Sequence, residues 1–212
     1  MRRLPVYLLI DTSGSMNGEP IEAVRNGVQN LVATLRQDPS ALEAAFLSVI
    51  TFSDTAKQDV PLTELSQFQI PAFSAGGTTS MGAALTLLSE KINQEVTKTT
   101  AEQKGDWKPV VFMMTDGQPT DDPTAGIEAI KKTKIGTFVA CAAGPGAETQ
   151  TLQRITESVV HLDTADSNTI KAFFKWVSAS ISTTSQKIDL SKKEVSGLSD
   201  LPPPPPEVNI VV

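Results

Sequence analysis

The chain of 212 residues contains one cysteine and one histidine, so it has very few of the side chains that bind soft metals or cross-link a fold. Cys141 cannot form a disulfide within the chain, and it cannot build a cysteine-based metal site. His161, as the only imidazole, excludes sites that need two histidines. This content is typical of a reducing compartment, and we expect a cytoplasmic protein.

Long apolar runs are also absent. The apolar stretch nearest the amino terminus, residues 4–10, includes Pro5 and runs directly into Asp11. A membrane-spanning helix needs roughly 18 apolar residues, and a secretory signal needs a cleavage segment after its apolar part. We therefore expect no membrane segment and no leader peptide.

Positive charge is in short supply, because 18 lysines and arginines stand against 24 acidic residues and give a net charge of −6. Nucleic-acid-binding proteins usually present a basic face, so the balance argues against that class. Apolar residues make up 40% of the chain and charged residues 20%. That composition suffices for a folded core and disfavours a disordered chain.

Apolar runs of strand length alternate with helical patterns as far as residue 182. The runs without polar alternation suit strands buried on both faces, and they are residues 4–10, 46–52, 109–114, 136–143 and 159–162. Residues 56–62 alternate and carry charge, which favours an edge strand paired as a hairpin with the strand before it. The pattern predicts an α/β fold: a doubly wound, mainly parallel six-stranded sheet with one antiparallel edge strand and helices on both faces.

The composition changes near Thr183, which divides the chain into a globular domain, residues 1–184, and a polar, proline-rich tail, residues 185–212. Pro202–Pro206 is expected to form a polyproline II rod, either as a spacer or as a ligand for an aromatic groove. Residues 208–212 are strand-like, and a free segment of this kind would promote aggregation. We hypothesise that it docks on an edge strand of this chain or of a partner.

Three strands end in loops rich in small residues that carry oxygen. Ligands of an open parallel sheet bind at its carboxyl edge, where the strand order reverses. If the strands before Asp11 and Asp116 are neighbours, their loops meet there. Two carboxylates with several hydroxyls, and no thiol or imidazole, suit Mg²⁺ or Mn²⁺ better than zinc. Because hydroxyl ligands are neutral, an open position on such an ion would attract a carboxylate from outside.

A simpler interpretation exists for each acidic residue. An aspartate after a strand often caps a helix or shapes a turn, which would explain Asp11 or Asp116 taken alone. Asp121 and Asp122 precede a predicted helix. Capping that helix is the favoured interpretation for both, and a role at the rim of the metal site is the alternative.

Three loop sequences resemble, in order, the three parts of the metal-ion-dependent adhesion site (MIDAS) of von Willebrand factor type A (vWA) domains: Asp11-Thr-Ser-Gly-Ser15, Gly76-Gly-Thr78 and Thr115-Asp116-Gly117. The likeness covers about residues 4–182 and implies the vWA fold. It also implies a set of metal ligands: Asp11, Ser13, Ser15, Thr78 and Asp116. Thr79 is the alternative to Thr78, and the aspartate of the third loop often acts through water in this family.

The third loop, Thr115–Asp121, resembles the bacterial tellurium-resistance TerY group, which is associated with a protein kinase and a PP2C-type phosphatase in stress and tellurite defence. The resemblance implies a metal-dependent protein-binding module that recruits a partner's Asp or Glu and catalyses no reaction itself. The residues expected at the rim of the site, where they would set specificity, are Met16, Asn17, Gln118 and Pro119.

Two other classes of function remain open, an enzyme of either of two reaction types and a scaffold. A Mg²⁺-dependent phosphoryl-transfer enzyme of the haloacid-dehalogenase type needs a second aspartate where Ser13 stands, and no Gly-x₄-Gly-Lys-Ser/Thr loop is present. A serine hydrolase would need His161 and lacks the Gly-x-Ser-x-Gly turn. A scaffold that binds through its tail, with an incidental metal, would lose its partner on truncation at Thr184.

Overall fold

The computed structural model describes residues 2–191, 194 and 196–212. In that part of the chain, seven strands and six α-helices follow one another: β1 (Leu4–Asp11), α1 (Glu19–Leu35), α2 (Pro39–Ala44), β2 (Ala45–Phe52), β3 (Ala56–Glu64), α3 (Met81–Glu95), β4 (Val110–Thr115), α4 (Thr124–Lys132), β5 (Thr137–Ala143), α5 (Thr149–Ile155), β6 (Ser158–Leu162), α6 (Ser167–Ser191) and β7 (Asn209–Ile210).

All the strands belong to a single sheet in the order β3-β2-β1-β4-β5-β6-β7. The five inner strands are parallel, and β3 and β7 run antiparallel at the two edges. The predicted doubly wound, mainly parallel sheet is confirmed, and so is the hairpin of β2 with β3. The sheet has seven strands rather than six because the tail supplies β7.

The inner strands are apolar throughout because helices cover both faces of the sheet. In β1, Val6 and Leu8 face the core beneath α1 and α6, whereas Tyr7 and Leu9 face the core beneath α3 and α4. Successive side chains of a strand point to opposite faces, so a strand buried on both sides cannot alternate with polar residues. The continuous apolar runs are therefore a direct consequence of the layered architecture.

The tail packs against the sheet. Helix α6 continues past its predicted end at Ile181 to Ser191, and Leu201 and Val208 are buried in the core beside it. The indole Nε1 of Trp176 donates to the carbonyl of Pro202 at 2.8 Å, and β7 pairs with β6. The hypothesis that the apolar end docks on an edge strand holds for this chain's own β6.

In the part of the chain that the structure describes, no helix combines the length and the apolar character that a membrane crossing demands.

Candidate metal centre

Strands β1 and β4 end side by side. They are parallel neighbours with Ile10 opposite Met114 in the register, so the loops that follow them leave the sheet at the same level. Strand order also reverses at this pair, since β2 lies on one side of β1 and β4 on the other. The condition set by the sequence, that the strands before Asp11 and Asp116 are neighbours, is thus met at the expected switch point.

Asp11 is wholly buried at this edge. Its Oδ1 accepts a hydrogen bond from the Ser13 backbone N–H at 2.8 Å, and its Oδ2 accepts one from the Thr115 hydroxyl at 2.6 Å. No ion pair between described residues involves Asp11. A buried carboxylate without a positive partner is unfavourable, so Asp11 is held in a fixed orientation while its charge stays uncompensated.

A chain of hydroxyl groups links the first loop to the third. The Oγ atoms of Ser13 and Ser15 lie 3.0 Å apart, and Ser15 Oγ donates to Asp116 Oδ1 at 2.7 Å. Ser13 is buried and Ser15 is exposed, so the chain runs from the interior to the surface. The structure therefore brings four of the five predicted ligands into one connected cluster.

Asp116, the second carboxylate of this cluster, lies in surroundings that disfavour its charged form. Burial raises the pKa of Asp116, the hydrogen bond from Ser15 lowers it, and the nearby charge of Asp11 raises it, with a net rise above the ordinary value. Burial and a like charge both disfavour the ionised form. A cation placed between the two carboxylates would relieve both effects.

Thr78, the fifth predicted ligand, is held in a different way. Backbone hydrogen bonds of 2.9 Å from Gly14 to Gly77 and from Gly76 to Thr12 join its loop to the first loop. Its own N–H and hydroxyl both donate to Asp54 Oδ1, at 2.8 and 2.9 Å. Because the hydroxyl proton is used in this bond, the lone pairs of the Thr78 oxygen stay free to accept or coordinate.

Asp54 is a site residue that the sequence analysis missed. The two bonds from Thr78, first from its backbone and then from its side chain, hold the pKa of Asp54 below its usual value. Gly77 has a φ of +78°, and a Cβ there would lie 2.6 Å from the Asp54 carboxylate, so this contact requires glycine. The signal was available, because Asp54 follows β2 at the same edge of the sheet.

Thr79, the alternative to Thr78, is buried and serves to connect two loops. Its N–H donates to Thr120 Oγ1 at 3.0 Å, and the Thr120 N–H returns a bond of 2.9 Å to the Thr79 carbonyl. The Thr79 hydroxyl lies 3.8 Å from the position that a Cβ on Gly117 would take. The second and third loops are therefore fixed against each other.

The two aspartates of the third loop cap different helices. Asp122 Oδ1 accepts the Thr124 N–H at 2.9 Å at the start of α4, as predicted. The expectation for Asp121 was wrong. Its carboxylate accepts the N–H groups of Gly82 and Ala83, at 3.0 and 2.9 Å, at the start of α3. The reason is that the third loop folds back over the second, which places Asp121 above the neighbouring helix.

The rim of the site differs from the prediction at one position. Asn17 and Gln118 are exposed and Pro119 is partly exposed, as a rim requires. Met16 is fully buried and belongs to the hydrophobic core, so its expected role at the rim was wrong. An apolar side chain in the short 3-10 turn Gly14–Met16 is more stable beneath the loop than in solvent.

The donor set fits a hard divalent cation. It consists of carboxylate and hydroxyl oxygens, which are the ligands that Mg²⁺ and Mn²⁺ prefer. Within the described residues, no three histidine, cysteine or acidic side chains gather into a metal cluster. The two carboxylates of Asp11 and Asp116 therefore depend on hydroxyl groups to complete any coordination shell.

Solved structures and family comparisons agree on the fold. A vWA protein from Catenulispora acidiphila matches with a TM-score of 0.65 and 18% identity, covering 86% of this chain and 43% of that one. The pilus adhesin SpaC from Lactobacillus rhamnosus GG matches with a TM-score of 0.64 and 18% identity, covering 86% of this chain and 31% of that one.

A third match is proximal thread matrix protein 1 from the mussel byssus, in a structure with a zinc-occupied MIDAS motif. Its TM-score is 0.59 at 21% identity, covering 84% of this chain and 45% of that one. The chain thus spans less than half the length of each of these structures.

Among curated proteins, no sequence matches the chain. Residues 6–176 match the von Willebrand factor type A domain family, which is more than half of the chain. The chain therefore belongs to the von Willebrand factor type A domain family, whose members often mediate adhesion or other protein–protein interactions.

Proposed function

We propose that this protein is a metal-dependent protein-binding module in which a divalent cation at the carboxyl edge of the sheet recruits a carboxylate from a partner protein. The observation that carries the proposal is Asp11, a wholly buried carboxylate with no positive partner among the described residues. It is linked to Asp116 through the Ser13 N–H and the hydroxyl groups of Ser13 and Ser15. The zinc-occupied motif of the mussel byssus protein supports a divalent ion at this place in the fold.

The residues of the site have different roles in the proposed metal binding. Asp11 supplies the buried negative charge, Ser15 orients Asp116, and Asp54 orients Thr78 by taking its hydroxyl proton. The proposed ion is Mg²⁺ or Mn²⁺. Its proposed ligands are Asp11, Ser13, Ser15, Thr78 and Asp116. When bound, the ion supplies a positive centre with open coordination positions for an oxygen ligand from outside.

The same cluster supports binding rather than catalysis. Its described side chains include no thiol, imidazole or amine that could act as a nucleophile or as a general base near neutral pH. Cys141 is fully buried within β5, where burial raises the pKa of its thiol. His161 lies on β6, with β4 and β5 separating it from β1.

The resemblance of Thr115–Asp121 to the TerY group supports a narrower proposal. In it, the protein is a cytoplasmic component of a tellurite-resistance or stress-signalling assembly, and its partners are a protein kinase and a PP2C-type phosphatase. Of the two partner types, the one that meets the metal would offer an exposed Asp or Glu. Affinity capture from tellurite-treated bacteria, with Mg²⁺ and then with EDTA, tests this assignment.

The direct test of the proposed function is Mn²⁺ titration followed by electron paramagnetic resonance. The wild-type protein should bind one equivalent, and Asp11→Ala should abolish that binding. Asp122→Asn is the matched control, because Asp122 lies near the third loop but its carboxylate caps α4. Equal Mn²⁺ binding by wild type and Asp11→Ala would contradict the proposal, and so would capture of the same partners in EDTA.

A further inference from the structure

A second cleft opens at the opposite, amino edge of the sheet. It has a volume of about 470 Å³, which lies within the range of roughly 300–1,000 Å³ typical of small-molecule sites. Its walls come from the end of α3, the segments that precede β1 and β4, and the connection from α4 to β5. Since the strands are parallel, these segments are separated from the metal centre by the length of the sheet.

The cleft concentrates positive charge in an acidic protein. Its lining includes two acidic side chains, and both are already paired: Asp106 with Arg3 at 2.6 Å and Glu194 with Lys108 at 2.7 Å. Five basic side chains line the same cleft: Arg2, Lys98, Lys108, Lys132 and Lys134. Among the described residues, Lys108 alone of these five forms an ion pair, so the other four have no acidic partner there.

One of these cations is held in place on an apolar base. The Arg2 guanidinium lies 3.6 Å from the centre of the Trp107 ring, and its Nε donates to the Gly105 carbonyl at 2.7 Å. Trp107 and Ile92 are buried, and Val96 is partly buried beside them. The cleft therefore combines an apolar floor, a guanidinium held by its contacts and a rim of exposed ammonium groups.

We propose that this cleft binds a phosphorylated small molecule with an apolar or aromatic body, the chemistry of a nucleotide. Ammonium and guanidinium groups are the standard protein partners of phosphate oxygens, and the apolar floor would take the body of the ligand. The inference rests on the amino edge alone and is independent of the proposed metal centre.

Lys131 provides a matched control for Lys132. Lys131 and Lys132 both lie in the last turn of α4, where each offsets the negative end of the helix dipole. Only Lys132 lines the cleft. Charge reversal at these two positions changes the net charge and the helix terminus equally, so a difference between them reports the cleft itself.

The test is isothermal titration with ATP, pyrophosphate and adenosine in the presence of EDTA, which keeps divalent ions from the other edge. ATP should bind more tightly than either fragment. The variant K132E should weaken ATP binding about tenfold, because an attractive charge becomes repulsive. K131E should bind as the wild type does, and thermal melting should show that all three proteins are folded.

A second readout locates the ligand. The chain has two tryptophans, and Trp176 is buried on α6, beside the tail. ATP should shift the indole N–H resonance of Trp107 in an NMR spectrum and leave that of Trp176 in place. The inference is overturned if no probe binds at millimolar concentration, if K131E weakens binding as much as K132E, or if the Trp107 resonance does not shift.

Discussion

The two edges of the sheet carry opposite chemistry. The carboxyl ends of the strands and the loops after them hold Asp11, Asp54 and Asp116 with their hydroxyl partners. The segments before the strands hold the basic cleft. The helices explain part of this division. Their positive N-terminal ends lie at the carboxyl edge of the strands, and their negative ends lie at the amino edge. Glu19 and Glu22 in the first turn of α1, and Lys131 and Lys132 in the last turn of α4, follow the same polarity.

This comparison teaches that acidity of the whole chain says little about either surface. A net charge of −6 disfavours anionic ligands on average, but the fold sorts the charges so that one edge favours a cation and the other an anion. Each edge can therefore be altered while the other serves as its control.

The largest effect should come from removing the tail, which tests how much the tail contributes to the stability of the fold that carries both edges. Deletion of residues 201–212 exposes the cavities left by Leu201 and Val208, both buried. Loss of two such side chains should lower the free energy of unfolding by about 3 kcal/mol or more, measured by urea denaturation. Ile210→Ser is the control, because Ile210 is 49% exposed. Unchanged stability after the deletion would show that the tail contributes nothing to the scaffold.

The next largest effect should come from Asp11→Asn, which keeps the shape of the side chain and removes its charge. Divalent-ion affinity should fall by about 100-fold or more, since even residues behind the metal ligands are worth about 10–100-fold. In EDTA the free energy of unfolding of the variant should stay within about 1 kcal/mol of the wild type, because removal of the buried charge offsets the loss of one of the two hydrogen bonds that the carboxylate accepts. Calorimetry with and without Mg²⁺ measures both. A loss of more than about 2 kcal/mol in EDTA would show that the fold stabilises the Asp11 carboxylate without a metal.

A smaller effect distinguishes Thr78 from Thr79. Thr78→Val should reduce Mn²⁺ affinity about tenfold, and Asp54→Asn should reproduce part of that loss because Asp54 orients the Thr78 hydroxyl. Thr79→Val keeps the backbone bonds to Thr120, so its affinity should change little. The reverse order, with Thr79→Val the weaker binder, would assign the ligand to Thr79.

The smallest effect should come from Asp121→Ala, which tests the link between the third loop and α3. Two N–H groups, those of Gly82 and Ala83, lose their acceptor, and such caps contribute about 1 kcal/mol to stability. The thermal midpoint should fall by a few degrees, and ATP binding at the amino edge should remain unchanged. Asp122→Ala removes the cap of α4 instead and provides the comparison. If Asp121→Ala melts as the wild type does, the contact with α3 is not a stabilising cap.

Much of the architecture could be predicted from the order of residues alone. Apolar runs without alternation identified the buried strands, because a strand covered on both faces has no polar positions to show. The three loops were identified because a parallel sheet directs the residues after each strand to a common edge. The alternation in residues 56–62 identified β3 as an edge strand, because a strand with one face in solvent alternates between apolar and polar residues.

The remaining features depend on contacts between segments that are distant in sequence. Asp54 was not singled out and Asp121 was expected to cap α4. Only the folding of one loop over another gave them Thr78 and α3 as partners. Strand β7 could be suspected but not placed, because its pairing with β6 needs the position of α6. The basic cleft had no sequence signal at all, since its cations come from four separate segments, and only the tertiary structure brings them to one edge.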